Sequence, residues 1–430
     1  MRQAAAARAL VAAALLLAIA ASPPRAEAAE AEKAEGAFRV AVFNVSLARG
    51  RAGALIDELR QAPAARASAQ IAQGMDVLRS VRPDAVLLLE LDYDPAGEAL
   101  ALYERELAQP SAAGPGLVYA HRFQAPVNAG LPSGFDLDGD GERRGPADAQ
   151  GWGVFEGQFG MALLSAAPID VAASRTFAAL LWSAAPNAAP PRRVDGEPYY
   201  AAEAWAALRL SSKSHWDVAL QVPSATGAAR ALHLLASHPT PPVFDGPEDR
   251  NGLRNAAEIE FWRDYVEGGA AAAWIADDQG RAGGLADGAS FVLLGDLNLD
   301  PEDGQGRREA VRALLTHPRL RDPAPESAGA AAASARQGGV NAAHRGPAAR
   351  DTAEWRDEPP RGPGNLRVDY ALPSSDLTVL GAGVFWPAPD EPGGGLMGAL
   401  LQEGRRWDAG ASDHRLVWVD LDLSVASQSD

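Results

Sequence analysis

Short apolar runs that stop at a polar side chain recur along this chain. Phe38-Arg39-Val40-Ala41-Val42-Phe43 ends at Asn44, Ala85-Val86-Leu87-Leu88-Leu89 at Glu90, Leu232-His233-Leu234-Leu235-Ala236-Ser237 at His238, and Ser290-Phe291-Val292-Leu293-Leu294-Gly295 at Asp296 and Asn298. Runs of this length, bounded by turn formers, predict buried strands, with Gly295 letting the backbone turn. Met161–Ser165, Leu366–Leu372 and Ala411–Val419 predict further strands, and Leu117–Phe123 another, while Ala206–Val222 reads as two strand-like pieces around Ser211–Trp216. Helices are predicted over about Ala67–Val81, ended by Pro83, and over about Ala96–Ala108 and Arg307–Leu315. Another spans Leu253–Val266, where Ala256, Ile259, Trp262 and Val266 repeat at spacings of three and four.

Between these elements lie long loops, at about 124–158, 178–200 and 323–364, the last opening with an Ala/Gly/Arg-rich segment from Pro323 to Ala349 that reads as mobile. No composition shift marks a boundary, so residues 38–424 are expected to form a single domain after a polar linker at 30–37, with a tail at 425–430. At the N-terminus, Arg2 and Arg8 precede an apolar run from Ala9 to Ala21 and small residues around Ala26–Ala29, the pattern of a signal peptide over residues 1–29. A retained anchor is the competing reading, but the run is short for a membrane span and nothing later approaches one. The expectation is a periplasmic or extracellular protein without stable membrane insertion, working as a monomer. The 430 residues are 47% hydrophobic and contain no cysteine, so a large core replaces disulfides as the source of stability. A net charge of -17 repels polyanions, so any phosphate ligand needs a metal or a few cations gathered locally.

Polar residues at strand tips are where ligands gather in α/β folds. Glu90 follows an apolar run directly and needs a counter-charge, either an arginine or a metal. His238 precedes Pro239, which stops the strand. Lys213 and His215, among the hydroxyls of Ser211, Ser212 and Ser214, form either a phosphate contact or a solvated hairpin end. Asp136, Asp138 and Asp140 alternate ahead of Gly141 like the start of an EF-hand loop, but position twelve is Ala147, so a Ca²⁺ site and an acidic surface loop both remain open.

Taken together, Asn44, Glu90 after Leu-Leu-Leu, Ser237-His238-Pro239, Gly295-Asp296-Leu297-Asn298, Val368-Asp369-Tyr370 and Ser412-Asp413-His414 resemble the ordered motifs of the endonuclease/exonuclease/phosphatase family. The resemblance implies a four-layered α/β sandwich, two mixed sheets face to face with helices outside. It implies a Mg²⁺- or Mn²⁺-dependent hydrolase of phosphate esters, nuclease-like in the first reading, a phosphomonoesterase or phospholipase C-type enzyme in the second. A non-catalytic binding module is the remaining class. Glu90, Asn44 and Asp413 would surround the metal, Asp296 and Asn298 would orient water and phosphate, and His238 and His414 would share acid and base duties. Asp369 would orient His414. Lys213, His215 and Asn251 are the candidate substrate contacts. For a lipid substrate, Trp182 and Val384–Pro387 are candidate membrane-touching loops, with burial as the alternative.

Overall fold

The computed structural model describes residues 33–61, 69–186, 188–223, 229–356, 362–400, 407–408 and 410–424. The signal peptide, residues 30–32 of the linker and the tail therefore lie outside the described residues. The strands are β1 (Phe38–Leu47), β2 (Ala85–Leu91), β3 (His121–Phe123), β4 (Met161–Ser165), β5 (Ile169–Thr176), β6 (His215–Pro223), β7 (Ala229–Ser237), β8 (Phe291–Asp296), β9 (Asp369–Pro373), β10 (Thr378–Val384), β11 (Ala399–Leu400), β12 (Trp407–Asp408) and β13 (Val417–Asp422). The α-helices are α1 (Ala54–Arg60), α2 (Ala69–Val81), α3 (Glu98–Leu107), α4 (Ala202–Ala207), α5 (Arg250–Glu267), α6 (Glu309–Leu315) and α7 (Ala328–Gln337).

Two mixed sheets carry the fold. Among the described residues, the first has six strands in the order β10-β13-β1-β2-β4-β3, and the second five in the order β5-β6-β7-β8-β9; β11 pairs with β12. In each large sheet one pair is parallel, β1 with β2 and β7 with β8, and the other pairings are antiparallel. Parallel neighbours require a crossover, which α2 supplies in the first sheet and α5 in the second.

Period-two alternation sorts the side chains of the second sheet between two layers. Leu232, Leu234 and Ala236 of β7, Val292 and Leu294 of β8 and Ala371 of β9 join Val40, Val42 and Leu87 of the first sheet in one core. Leu235, Phe291, Leu293, Tyr370 and Leu372 point the other way and pack with Ile259, Trp262 and Tyr265 of α5 and Val311 and Leu314 of α6. On the first sheet, Leu55 of α1, Met75 and Leu78 of α2 and Tyr103 of α3 complete the buried layer. The result is the four-layered sandwich. The same parity holds to the ends of β8 and β9 and one residue past β7, so Asp296, Asp369 and His238 continue the rows that face between the sheets.

Several expectations are corrected. Gly295 lies within β8 rather than at a turn; a Cβ there would sit 2.4 Å from the Ser237 carbonyl oxygen on β7, so close backbone approach is what requires glycine. The turn comes three residues later, at Asn298, with φ 52°. The Ala/Gly/Arg segment contains α7, capped by Ser327 Oγ accepting from Ala330 N, because alanine is the strongest helix former. The strand expected over 411–419 begins only at Val417, and the one over 117–123 only at His121. The pieces around 206–222 are α4 and one strand, β6. The polar or small residues of α1, β5 and β10 left those elements unread. Trp182, Phe385 and Trp386 are buried, so neither segment that carries them is a membrane-touching loop.

Candidate active site

Asp296 is the centre of a buried polar cluster between the two sheets. Its Oδ2 lies 3.4 Å from His238 Nε2, 3.6 Å from His414 Nε2 and 3.2 Å from Asn44 Nδ2. Its Oδ1 accepts the backbone N–H of Asn298 at 2.9 Å. His414 Nδ1 meets Asp369 Oδ2 at 3.0 Å, across the β8–β9 pair in which Asp296 and Asp369 are partners. Burial opposes ionisation of Asp296, but the two imidazoles hold its carboxyl below the usual range. Burial likewise opposes a charge on His414, yet Asp369 and Asp296 raise its pKa well above the ordinary value. His238 goes the other way, lowered to about 4 by burial and by the charge of Lys213. The site thus holds one proton-rich and one proton-poor imidazole.

Beside this cluster, Asn44 Nδ2 also donates to Glu90 Oε1 at 3.1 Å, while its oxygen accepts Ser46 N at 3.1 Å. Burial and the nearby Asp413 push the Glu90 carboxyl up to about 7. Asp413 is held by two donors, Ser46 Oγ at 2.6 Å on Oδ1 and Trp355 Nε1 at 3.0 Å on Oδ2. Ser46, Glu90 and Asn298 all have left-handed backbones, with φ of 49°, 59° and 52°. Such strain at side-chain-bearing residues is characteristic of functional sites.

The sequence model described as "Endonuclease/Exonuclease/phosphatase family" matches residues 41–414, from β1 through the Ser-Asp-His motif. The chain belongs to this family. Among solved structures it is similar to an endonuclease/exonuclease/phosphatase from Beutenbergia cavernae, at 20% identity over 90% of this chain and 71% of that one, with a TM-score of 0.45. It is also similar to sphingomyelinase C from Streptomyces griseocarneus, at 14% identity over 89% and 99% of the two chains and a TM-score of 0.41. A third similar structure is a mannosyl-6-phosphatase from Bacteroides thetaiotaomicron, at 12% identity over 89% and 99% and a TM-score of 0.40. No curated protein sequence matches.

Members of the endonuclease/exonuclease/phosphatase family are hydrolases of phosphoesters and are generally dependent on a divalent metal. The donor chemistry here fits such an ion. Glu90 is a partly buried carboxylate beside a second one, Asp413, and an added cation would relieve the repulsion that helps raise its pKa. Oxygen donors suit Mg²⁺ or Mn²⁺. Asn44, as oriented, donates to both Glu90 and Asp296 and ties the two carboxylates together instead of offering its oxygen. Asp296, Asp369 and His414 also bring ligand atoms within 4.8 Å of one another. However, the two carboxylates face opposite nitrogens of one ring, Asp369 within hydrogen-bond distance and Asp296 as a 3.6 Å charge pair, so these three residues form a carboxylate–imidazole–carboxylate row rather than a cage.

The remaining candidate residues separate. Lys213 is buried, 3.5 Å through Nζ from the Pro239 carbonyl, and its lowered pKa reflects burial offset by Glu258, Glu90 and Asp296. It belongs to the cluster. His215 does not reach it: Nδ1 meets Ser211 Oγ at 2.6 Å, Nε2 meets the Glu258 carbonyl at 2.9 Å, and the ring packs on Phe261 and Trp262. Asn251, on the first turn of α5, donates to the Val243 carbonyl at 2.6 Å and secures the loop after His238. Asn298 Nδ2 bonds the Pro239 carbonyl at 3.1 Å, so it aligns Asp296 with that same loop. In the acidic loop, Asp136 and Asp138 approach Asp148 rather than Asp140, whose carboxylate accepts from Glu142 N.

Four further residues complete the site. Ser46 and Trp355 hold Asp413, Thr352 Oγ1 donates to Asp369 Oδ2 at 2.8 Å, and Glu258 accepts Ser212 N, Ser212 Oγ and Thr240 N at 2.6, 2.9 and 2.7 Å. Glu258 carried a signal, since it lies four residues before Trp262 on the buried side of α5. Thr352 and Trp355 follow a low-complexity run and carried none.

Proposed function

We propose that this protein is a divalent-metal-dependent phosphodiesterase, nuclease-like in its chemistry, that acts outside the cytoplasm after loss of residues 1–29. The observation that carries the reading is the convergence of His238 Nε2 and His414 Nε2 on Asp296 Oδ2, at 3.4 and 3.6 Å, beside Glu90. Phosphoester hydrolysis needs a water deprotonated as it attacks and a leaving oxygen protonated as it departs, and two imidazoles of opposite proton content can divide those tasks. Glu90 and Asp413 would hold the ion, which when bound neutralises charge on the phosphoryl oxygens. Asp296 orients the water between the imidazoles, Asp369 fixes the His414 ring, and the Lys213 ammonium adds positive charge for the phosphate. Burial of Asp296, Asp369, Lys213 and the two imidazoles strengthens the electrostatic contacts among them.

A lipid-type phosphodiester is the second reading. Phe244, on the loop after His238, is 85% exposed, and Trp152 and Val154 are 58% and 53% exposed. Large apolar side chains left in solvent on loops favour contact with an apolar surface.

The test is turnover of a panel comprising plasmid DNA, RNA, sphingomyelin vesicles, bis(p-nitrophenyl) phosphate and sugar or inositol phosphates, with Mg²⁺ or Mn²⁺ and after chelation. Activity is expected to require the metal, and His238→Ala and His414→Ala are each expected to lose about 10²–10⁴-fold. Undiminished turnover after complete metal removal, or in either variant, would refute the scheme.

A further inference from the structure

Thr352 and Trp355 reach the site from the far end of the Ala/Gly/Arg segment, in a stretch held by backbone pairing on both sides. Ala353 bridges Leu366 on one side and His414 on the other. Glu354 N donates to the Asp413 carbonyl at 2.9 Å, and Arg415 N donates to the Thr352 carbonyl at 2.7 Å. Between them, the buried Glu354 carboxylate meets Arg415 Nη2 at 2.6 Å and, from α7, Arg336 Nη2 at 3.2 Å. The backbone of residues 352–355 is therefore fixed independently of the two side chains that face the site.

Those side chains make directed contacts. Thr352 Oγ1 accepts Val368 N at 3.0 Å and Asp369 N at 2.9 Å, which leaves its single proton for Asp369 Oδ2 at 2.8 Å. That oxygen is the one facing His414 Nδ1. Trp355 Nε1 donates to Asp413 Oδ2, and the indole meets the His414 imidazole edge-on, with ring centroids 5.4 Å apart at 81°. With Ser46 on Oδ1, both Asp413 oxygens have a fixed direction.

We propose that Thr352 and Trp355 are positioning residues for the hydrolytic centre: Thr352 sets the His414 ring through Asp369, and Trp355 sets the Asp413 carboxylate for the metal. The consequences for turnover rest on the phosphoesterase reading; the consequence for metal affinity does not. Groups that orient a ligating carboxylate or an imidazole restrict it to the productive rotamer, and their loss typically lowers metal affinity or activity about 10–100-fold.

The experiment uses the protein lacking residues 1–29, with Mn²⁺ binding followed by calorimetry and electron paramagnetic resonance, and with steady-state kinetics on whichever panel substrate the wild type turns over. Trp355→Phe keeps the ring edge and loses the N–H. It is expected to weaken Mn²⁺ binding at least about 10-fold with an unchanged far-ultraviolet circular dichroism spectrum. Thr352→Val is expected to lower kcat about 10-fold or more with KM within twofold, and Thr352→Ser, which keeps the hydroxyl, to return kcat to within threefold of the wild type. Wild-type Mn²⁺ affinity in Trp355→Phe would overturn the assignment of Trp355. An undiminished kcat in Thr352→Val, or a loss that Thr352→Ser does not rescue, would overturn that of Thr352. If the wild type hydrolyses nothing in the panel while Trp355→Phe still weakens Mn²⁺ binding, the proposed function fails and the Trp355 assignment stands.

Discussion

Replacing Glu258 with glutamine tests whether a buried carboxylate on α5 holds the two halves of the substrate-facing side together. Glu258 is fully buried and receives three donors, with Ser212 beside Lys213 on one oxygen and Thr240, two residues after His238, on the other. Burial raises its pKa, while Arg254, the Ser212 and Thr240 N–H groups and Lys213 favour the anion. Glutamine keeps one acceptor and turns an amide N–H₂ toward a backbone donor, leaving donor against donor, at a cost of about 1–3 kcal/mol. It also removes the negative charge that favours the protonated forms of Arg254 and Lys213. A net destabilisation of about 1–3 kcal/mol is expected, within the roughly 5–15 kcal/mol that native domains typically have available. Urea denaturation of Glu258→Gln, read by tryptophan fluorescence, measures it. Turnover of the folded variant should fall about 10–100-fold as Lys213 and His238 lose their common support. A urea midpoint and a kcat both equal to the wild type would refute the bridging role.

Two other outcomes follow from the packing. Gly295→Ala would place a Cβ 2.4 Å from the Ser237 carbonyl oxygen, against backbone rather than a flexible side chain. A loss of about 1–3 kcal/mol is expected together with a reduced kcat, since Asp296 is the next residue. Unchanged stability on denaturation would show that β7 and β8 yield freely there. His215 has its pKa lowered from 6.5 to about 4, chiefly by burial. Between those values the unfolded chain binds more protons, so this group contributes roughly 3 kcal/mol of stability above pH 6.5 that is lost as pH falls toward 4. Denaturation at pH 7, 6, 5 and 4.5 should show a shallower acid loss in His215→Gln than in the wild type, and parallel curves would refute the assignment.

How much of this centre was legible depended on whether a residue sits on a strand that its own neighbours specify. Asn44, Glu90, His238 and Asp296 each follow an apolar run, and the run itself says that the next polar residue lies at the edge of a core. Asp369 and His414 were readable only through the motif resemblance, because Asp369 opens β9 rather than ending it and His414 lies ahead of β13 in an isolated bridge to Ala353. His215 and Asn251 were misplaced because residue type suited phosphate binding while the burial and bonding that occupy them involve α5 and the loop at 243–245. Asp148 was passed over in favour of Asp140 because an EF-hand count assumes a helix on either side, whereas this loop folds back on Leu137 N.

By itself, then, the sequence determined the two-residue and three-to-four-residue periods, and with them most central strands, the long helix α5 and the parity that aims His238 and Asp296 inward. Those are local properties, set by neighbours along the chain. Tertiary structure alone decided that Gly295 must be glycine and that Thr352, Trp355 and Glu258 serve the site. Each depends on a group more than a dozen residues away, whose approach is set by how two sheets pack face to face.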